Sequence, residues 1–341
     1  MIAATKGNTK MTAVLGVTHF LVDFLCTSLL TAYIARSAVH AGEVVLYAIL
    51  YNGFAFAFQM PIGALADRLG TSTKLAAVGC VMVAAGVFLK TPWLLCLCIG
   101  IGNACFHVGA AREVLHRGNT KAAMVGFFVA PGALGIFLGP LSASVIYIRI
   151  AAVVALLLCS FVILLSESYK EERIKGAFTF ASVSGVLCMF MTVLIRSYMG
   201  TILNYDFKSV PLFMFVFTIC IFCGKFIGGV LSDKFGSLRF SVVAQLLFTA
   251  LLVLSMKFQF AAMPAILLCN TSMAVTAAEL YKKSPSNGGF LFGVTTFALY
   301  LGIIPGLLKI TLIPVNAFTM LLIGLLSSAF LIAGIRLLNN E

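Results

Sequence analysis

The sequence predicts an all-α transmembrane protein of twelve helices in two pseudo-symmetric six-helix bundles, and three observations carry that prediction. Hydrophobic residues make up 61% of the 341 and charged residues only 10%, where a soluble domain carries roughly 25% charge. The apolar runs are about 18–24 residues long, enough to cross ~30 Å of hydrocarbon as helices and too long for the alternating strands of an outer-membrane barrel. The chain also repeats itself. Residues 63–70 and 229–236 both read G-x-L-x-D-[RK]-x-G, 166 positions apart, and Glu113 and Glu279 each follow the first glycine of their copy by 50 positions. Charged landmarks in one register point to a duplicated unit, and a doubled six-helix unit is a transporter architecture.

The spans follow in order. Span one, 11–35, stands behind Lys6 and Lys10. That pattern is shared with signal peptides, but this run is too long for one and the repeat needs it, so it is expected to be retained. Span two, 43–66, runs into the first motif copy; spans three and four are 73–90 and 92–113, the latter closing on Glu113. Span five, 121–140, holds Pro131, Gly135, Gly139 and Pro140; span six is 146–166. Ser166 to Gly176 form the only polar connector. The order then returns as 178–200, 209–231 with the second motif copy, 239–256, 258–280 with Glu279, 287–308 with Gly302, Pro305 and Gly306, and 314–337. The expected domains are an N-terminal bundle over 1–166, a connector over 167–177 and a C-terminal bundle over 178–341.

The charge distribution orients these spans. With the N-terminus inside, fifteen Lys and Arg fall in inner loops and six in outer ones, Arg36, Lys90, Arg149, Lys208, Lys257 and Lys309. This bias predicts both termini and the connector on the cytoplasmic side, in a bacterial cytoplasmic membrane. The net charge of +12 does not indicate a nucleic-acid partner, because the basic residues are scattered singly between apolar runs and suit an anionic lipid surface. Cys96, Cys98, Cys220 and Cys223 form short pairs, but no second pair stands at zinc-finger spacing. They read as small apolar packing residues, and neither cofactor nor bound metal is expected.

The doubled loop resembles the signature loop of the major facilitator superfamily, and span count, repeat and orientation extend the resemblance over the whole chain. The chain departs from the family in its short middle loop and in the thinned basic residues after each motif, Lys74 and Arg239. In physical terms the glycines let helix ends approach. Asp67 and Asp233 stand at helix termini, where a carboxylate can cap a neighbouring helix N-terminus. Arg68 and Lys234 are expected to pair with Glu113 and Glu279. The resemblance implies that these contacts latch the two halves in the outward-facing state. Span five adds Gly135-x-x-x-Gly139-Pro140, similar to a motif of the superfamily's antiporters, which implies export by exchange; its glycine spacing suits close helix contact. Gly302 and Gly306 repeat that spacing in span eleven.

Ionisable residues inside spans are functional candidates, because lipid is a costly environment for them. His19 and Asp23 share one face of span one, and Asn103 and His107 one face of span four, each pair at i and i+4. At ~1.5 Å per residue, Asp23 lies about 18 Å from one end of its span and Asn103 about 15 Å from the opposite end of its own. Both are near the midplane, and the four side chains are expected to form one polar cluster suited to proton coupling. The neighbourhoods of His19–Phe24 and Phe106–His107 resemble fosmidomycin-resistance-like exporters. Arg196, near the outer end of span seven, is placed to bind an anionic substrate group or to reach the interface. Lys225, one turn inside the second motif loop, is expected to snorkel to the headgroups.

An intramembrane enzyme is not indicated: no metal-binding H-E-x-x-H, paired-aspartate motif with convincing flanks or phosphate loop is present. The reading is a monomeric secondary transporter, coupling protons to export of a small organic molecule. A divalent-metal or anion carrier of the same fold, and a transport-inactive receptor, are the alternatives.

Overall fold

The computed structural model describes residues 2–36, 40–168 and 180–339, with side chains from 9 in the first stretch and from 182 in the last. Most of the connector, with Lys170, Arg173 and Lys175, lies outside the described residues.

Twelve helical rods are seen among the described residues. They are α1 (Ile2–Arg36), α2 and α3 (Ala41–Asn52 and Gln59–Leu69, joined by one π-helical turn), α4 (Ser72–Ala85), α5 (Pro92–Arg117), α6 (Ala122–Leu141) and α7 (Ile146–Leu165). After the connector come α8 (Phe180–Ile202), α9 (Pro211–Phe235), α10 (Ser237–Ser255), α11 (Ala262–Lys283), α12 (Gly288–Leu307) and α13 (Ala317–Asn339). Eleven rods are long and apolar enough to cross a membrane, and the rod Ser72–Phe88 is apolar but shorter. The outward side chains, such as Leu158, Phe161, Leu165 and Phe318, are large and apolar. Lipid is the environment that such a surface requires, and the chain is an integral multi-pass membrane protein.

Local sequence sets the rod ends. Pro92 and Pro211 open α5 and α9 at positions where a missing N–H goes unused. The repeated motif is helical almost to its end. Only its last glycine leaves the helix, Gly70 at φ +66° and Gly236 at φ +85°, backbone angles that favour glycine. Asp67 and Asp233 therefore stand on the last helical turn, not in the loop beyond it.

The described chain divides into two compact units. Unit 1 is Met1–Asn119, Pro131–Arg173 and Ser286–Phe297; unit 2 is Thr120–Ala130, Ile174–Pro285 and Ala298–Glu341. The bundles read from the sequence thus exchange the first halves of α6 and α12. Within unit 1, α4 packs on α5 and α7, and α1 on the same two helices. Within unit 2, α10 packs on α11 and α13, and α8 on α13 and α11. The duplication seen in the motifs is present in the packing. Leu15, Leu25, Ile99, Phe106 and Leu156 fill the centre of unit 1, and Met189, Met199, Leu252 and Leu280 that of unit 2.

Candidate functional site

Unit 1 places α5 tightly against α4. A Cβ at Gly79 would run into the backbone of Phe106, and one at Gly109 into that of Ser72 and Ala76. This close seam leaves the adjoining face of α5, with Asn103 and His107, turned toward α1. There it meets His19 and Asp23. All four are buried, Asn103 completely and Asp23 with 7% of its surface exposed.

The four side chains form one hydrogen-bonded network. His19 Nε2 lies 3.1 Å from Asp23 Oδ2, and Asn103 Nδ2 donates to Asp23 Oδ1 at 3.0 Å. The two imidazoles face each other through their Nε2 atoms at 2.9 Å, rings nearly perpendicular. His107 Nδ1 lies 2.9 Å from the Asn103 carbonyl oxygen. A carbonyl only accepts, so His107 carries its Nδ1 proton, and in the neutral ring Nε2 is a lone pair. The proton between the rings then comes from His19 Nε2. Two Nε2–H groups cannot face each other at this distance, so one proton stands between the rings.

The cluster is closed from the α6 side by glycines. A Cβ on Gly132 would strike His19 Nε2 and Asp23 Oδ2; one on Gly135 would strike the Phe20 carbonyl, and one on Gly139 the Thr27 hydroxyl. The Gly135-x-x-x-Gly139 spacing is thus the line where α6 lies on α1. Gly132, one turn before it, leaves the space that the cluster occupies. Asn103 Oδ1 is buried without a hydrogen-bond partner, one acceptor left over in an otherwise matched set. The nearby atoms of His19, Asp23 and His107 all lie within 4.8 Å of one another, so this donor set also fits a cation. His107, with Nδ1 held by a carbonyl, has the orientation usual for a metal-ligating imidazole.

The doubled motif forms two helix caps. In unit 1, Asp67 accepts from the backbone N–H of Gly289 at 2.9 Å and of Phe290 at 2.8 Å, in the first turn of α12. In unit 2, Asp233 accepts from Ala122 at 3.0 Å and Ala123 at 2.9 Å, in the first turn of α6. Each carboxylate meets N–H groups with no partner inside their own helix, at its positive end. Close approach is possible because Gly63 faces the Gly289 backbone and Gly229 that of Ala122.

Of the expected basic partners, that of Glu279 is corrected. Asp67 is held by Arg112, whose Nε lies 2.9 Å away and whose Nη1 donates to Ser72 at 2.7 Å; Arg68 is exposed at the end of α3. Glu113 takes Arg117, one helical turn along α5, at 2.8 Å. Glu279 takes Lys282 at 2.6 Å, Ser237 at 2.6 Å and Asn339 at 2.8 Å, while Lys234 lies over the ring of Phe235. Partners on the same helix are already within reach and need not order a second, distant chain.

Three more basic residues find places inside the protein. Lys225 turns to the Val129 carbonyl at 3.4 Å rather than running out to headgroups. Arg196, on α8, donates from Nη1 to Ser272 Oγ at 2.8 Å. Arg149, counted with the outer loops, is buried on α7, with Nε and Nη2 unpaired.

Of these residues Arg112, Gly132 and Ser272 were not singled out by the sequence. Gly132 alone left a trace there, one turn before the Gly135-x-x-x-Gly139 pair. No family model and no curated protein matches the chain. Solved structures do. One is the E. coli fucose:proton symporter FucP, at 17% identity and TM-score 0.67, with 98% of each chain covered. A second is a major facilitator superfamily transporter, FucP, in the outward conformation, at 18% identity and TM-score 0.68, with 99% of this chain and 100% of that one covered. At these identities the likeness establishes the fold, and the chain has the major facilitator fold.

Proposed function

We propose that the protein is a secondary active transporter that couples proton movement to that of a small organic molecule, with Asp23 as the proton site. The observation that supports this most is the buried network of Asp23, His19, His107 and Asn103. It places a carboxylate and an imidazole pair together inside a membrane-spanning bundle, where an ionisable group needs a reason to be. Asp23 takes and releases the proton; His19 and His107 set how readily it does so; Asn103 holds the carboxylate in place. The similarity to a fucose:proton symporter supports coupling to protons. Exchange, giving export, is the reading we take from the Gly135-x-x-x-Gly139-Pro140 seam. The caps at Asp67 and Asp233, with Arg112, Glu113 and Glu279 beside them, serve as latches that break and re-form as the transporter cycles. Both termini are read as cytoplasmic, from the distribution of Lys and Arg.

Proteoliposomes test the coupling. Asp23→Asn imitates the protonated acid, so transport driven by a pH gradient is expected to vanish while substrate counterflow persists. Wild-type gradient-driven flux in Asp23→Asn would end this reading. A second reading, divalent-metal transport, is favoured by the convergence of His19, Asp23 and His107 on one point. It requires that Asp23→Asn and His107→Ala each abolish binding of zinc or manganese, with organic substrates inert.

A further inference from the structure

Unit 2 repeats the seam that closes the unit 1 cluster. In unit 1 a Cβ on Gly135 would meet Phe20 and Asp23, and one on Gly139 would meet Thr27; in unit 2 a Cβ on Gly302 would meet Leu194 and Ser197, and one on Gly306 would meet Thr201. Phe20, Asp23 and Thr27 on α1 therefore answer to Leu194, Ser197 and Thr201 on α8. On the helices behind, Asn103 and Cys269 each precede their glutamate, Glu113 or Glu279, by ten positions. The place in unit 2 that corresponds to the Asp23–Asn103 cluster is thus bounded by Ser197, Arg196 and Cys269.

Beside that place, on the Arg196 and Cys269 side and away from Ser197, lies a cavity with about 30 Å³ of room for water-sized molecules, bounded also by Lys208, Tyr205 and Phe217, and with no carboxylate in its wall. That is space for one or two waters or for the head of a small anion. Arg196 spends one Nη on Ser272 and has no acidic partner among the described residues. Lys208 sits between the faces of Tyr205 and Phe217, at 5.4 Å and 5.2 Å from the ring centres, and donates to the Leu203 carbonyl at 2.6 Å. Two cations thus border one largely apolar space, with neither neutralised by an anion among the described residues. A guanidinium out of water without a counter-charge is costly, and a planar two-oxygen anion matches its fork.

We propose that this cavity is a binding site for a compact monocarboxylate, its two oxygens held by Arg196 and its charge balanced by Lys208, with the apolar wall taking the short carbon body. Where unit 1 holds a proton, unit 2 holds an anion. The site goes beyond the transport reading and does not depend on it, since binding needs no gradient.

The test uses the purified full-length protein in detergent. Thermal unfolding is followed with sodium formate or sodium acetate, against sodium chloride at equal ionic strength and against methylammonium chloride. The carboxylates are expected to raise the midpoint more than chloride does, and methylammonium not at all. In Arg196→Gln the apparent carboxylate affinity is expected to fall about tenfold or more, as loss of a charge-assisted pair implies, and in Lys208→Gln by a smaller factor. Should Arg196→Gln not fold, Arg196→Lys keeps the charge without the planar fork and is expected to lose most of the preference for carboxylate over chloride. Equal stabilisation by acetate and chloride, lost in Arg196→Gln, would overturn the carboxylate assignment in favour of an inorganic ion. Stabilisation unchanged in the variants, or absent from the wild type, would overturn the site.

Discussion

The two units place opposite chemistry behind the same glycine seam. In unit 1, where α6 lies on α1, the contacted residue is Asp23, and it is answered by His19, Asn103 and His107. In unit 2, where α12 lies on α8, it is Ser197, which donates to the Leu299 carbonyl at 2.7 Å, beside Arg196. The backbone solution is shared and the polar filling is not. What the duplication preserves is the close helix contact, which tolerates no added atom. What it has released is the set of side chains that look into the space behind. The caps diverge in a milder way: Asp67 is reinforced by Arg112, while Asp233 is exposed and, among the described residues, has only its two backbone N–H groups.

The sharpest way to break this comparison is at the cluster. Gradient-driven flux measured in proteoliposomes is expected to be lost in Asp23→Asn and retained in Ser197→Ala. Loss in both would mean that the two positions are not functionally distinct. The seams come next. Gly132→Ala puts a methyl into His19 and Asp23, and Gly135→Ala puts one into the α1 backbone. Each is expected to destabilise by about 2 kcal/mol or more, by the cost of overpacking, and thermal unfolding in detergent measures it. Gly302→Ala should behave as Gly135→Ala does, since both meet a carbonyl, whereas Gly132→Ala alone should also disturb proton coupling.

The caps give a graded effect. Asp67→Asn takes a carboxylate away from the buried Arg112 and is expected to cost about 3 kcal/mol, in the range for breaking a buried ion pair. Asp233→Asn removes only a cap and should cost on the order of 1 kcal/mol. Equal losses in unfolding experiments would show that Arg112 adds nothing.

The smallest expected effect is one of pH. Burial holds the Lys208 ammonium below the ordinary lysine range. The unfolded chain therefore binds more protons than the folded one in the window between the depressed value and the usual 10.5, and stability rises as pH climbs through it. Below that window the gain is absent. Thermal midpoints across alkaline pH should show the rise in the wild type and not in Lys208→Gln, while carboxylate affinity should fall over the same range as the ammonium discharges.

Spacing along the chain made some of this legible and rotation about helices hid the rest. The twelve rods were readable because each apolar run has to match the thickness of a bilayer. His19 with Asp23, and Asn103 with His107, were readable as pairs because positions four apart share a face, and depth counting put the two pairs at one height. The exchange of the first halves of α6 and α12 between units left no mark in composition, since both halves of each helix are equally apolar. Arg112 was overlooked beside Glu113, because which of two neighbours points at Asp67 depends on how α5 is turned, and that is set by Gly79 and Gly109 against α4. Lys208 looked like a loop charge until the short turn around Asp206–Ser209 brought it back over Tyr205.

The π-helical turn at Gly53–Ala57 sets the clock for everything that follows it on the rod. A π turn holds one residue more than an α turn in the same advance. Its Phe56 carbonyl is met by the Thr296 hydroxyl, at 3.1 Å. Winding this stretch as regular α-helix without removing a residue would advance α3 by about 1.5 Å and turn it by about 100°. Asp67 would then sweep away from the α12 N-terminus, and Gly63 from the one backbone that it is small enough to touch. The phase of the latch is therefore written some ten residues ahead of the motif that names it.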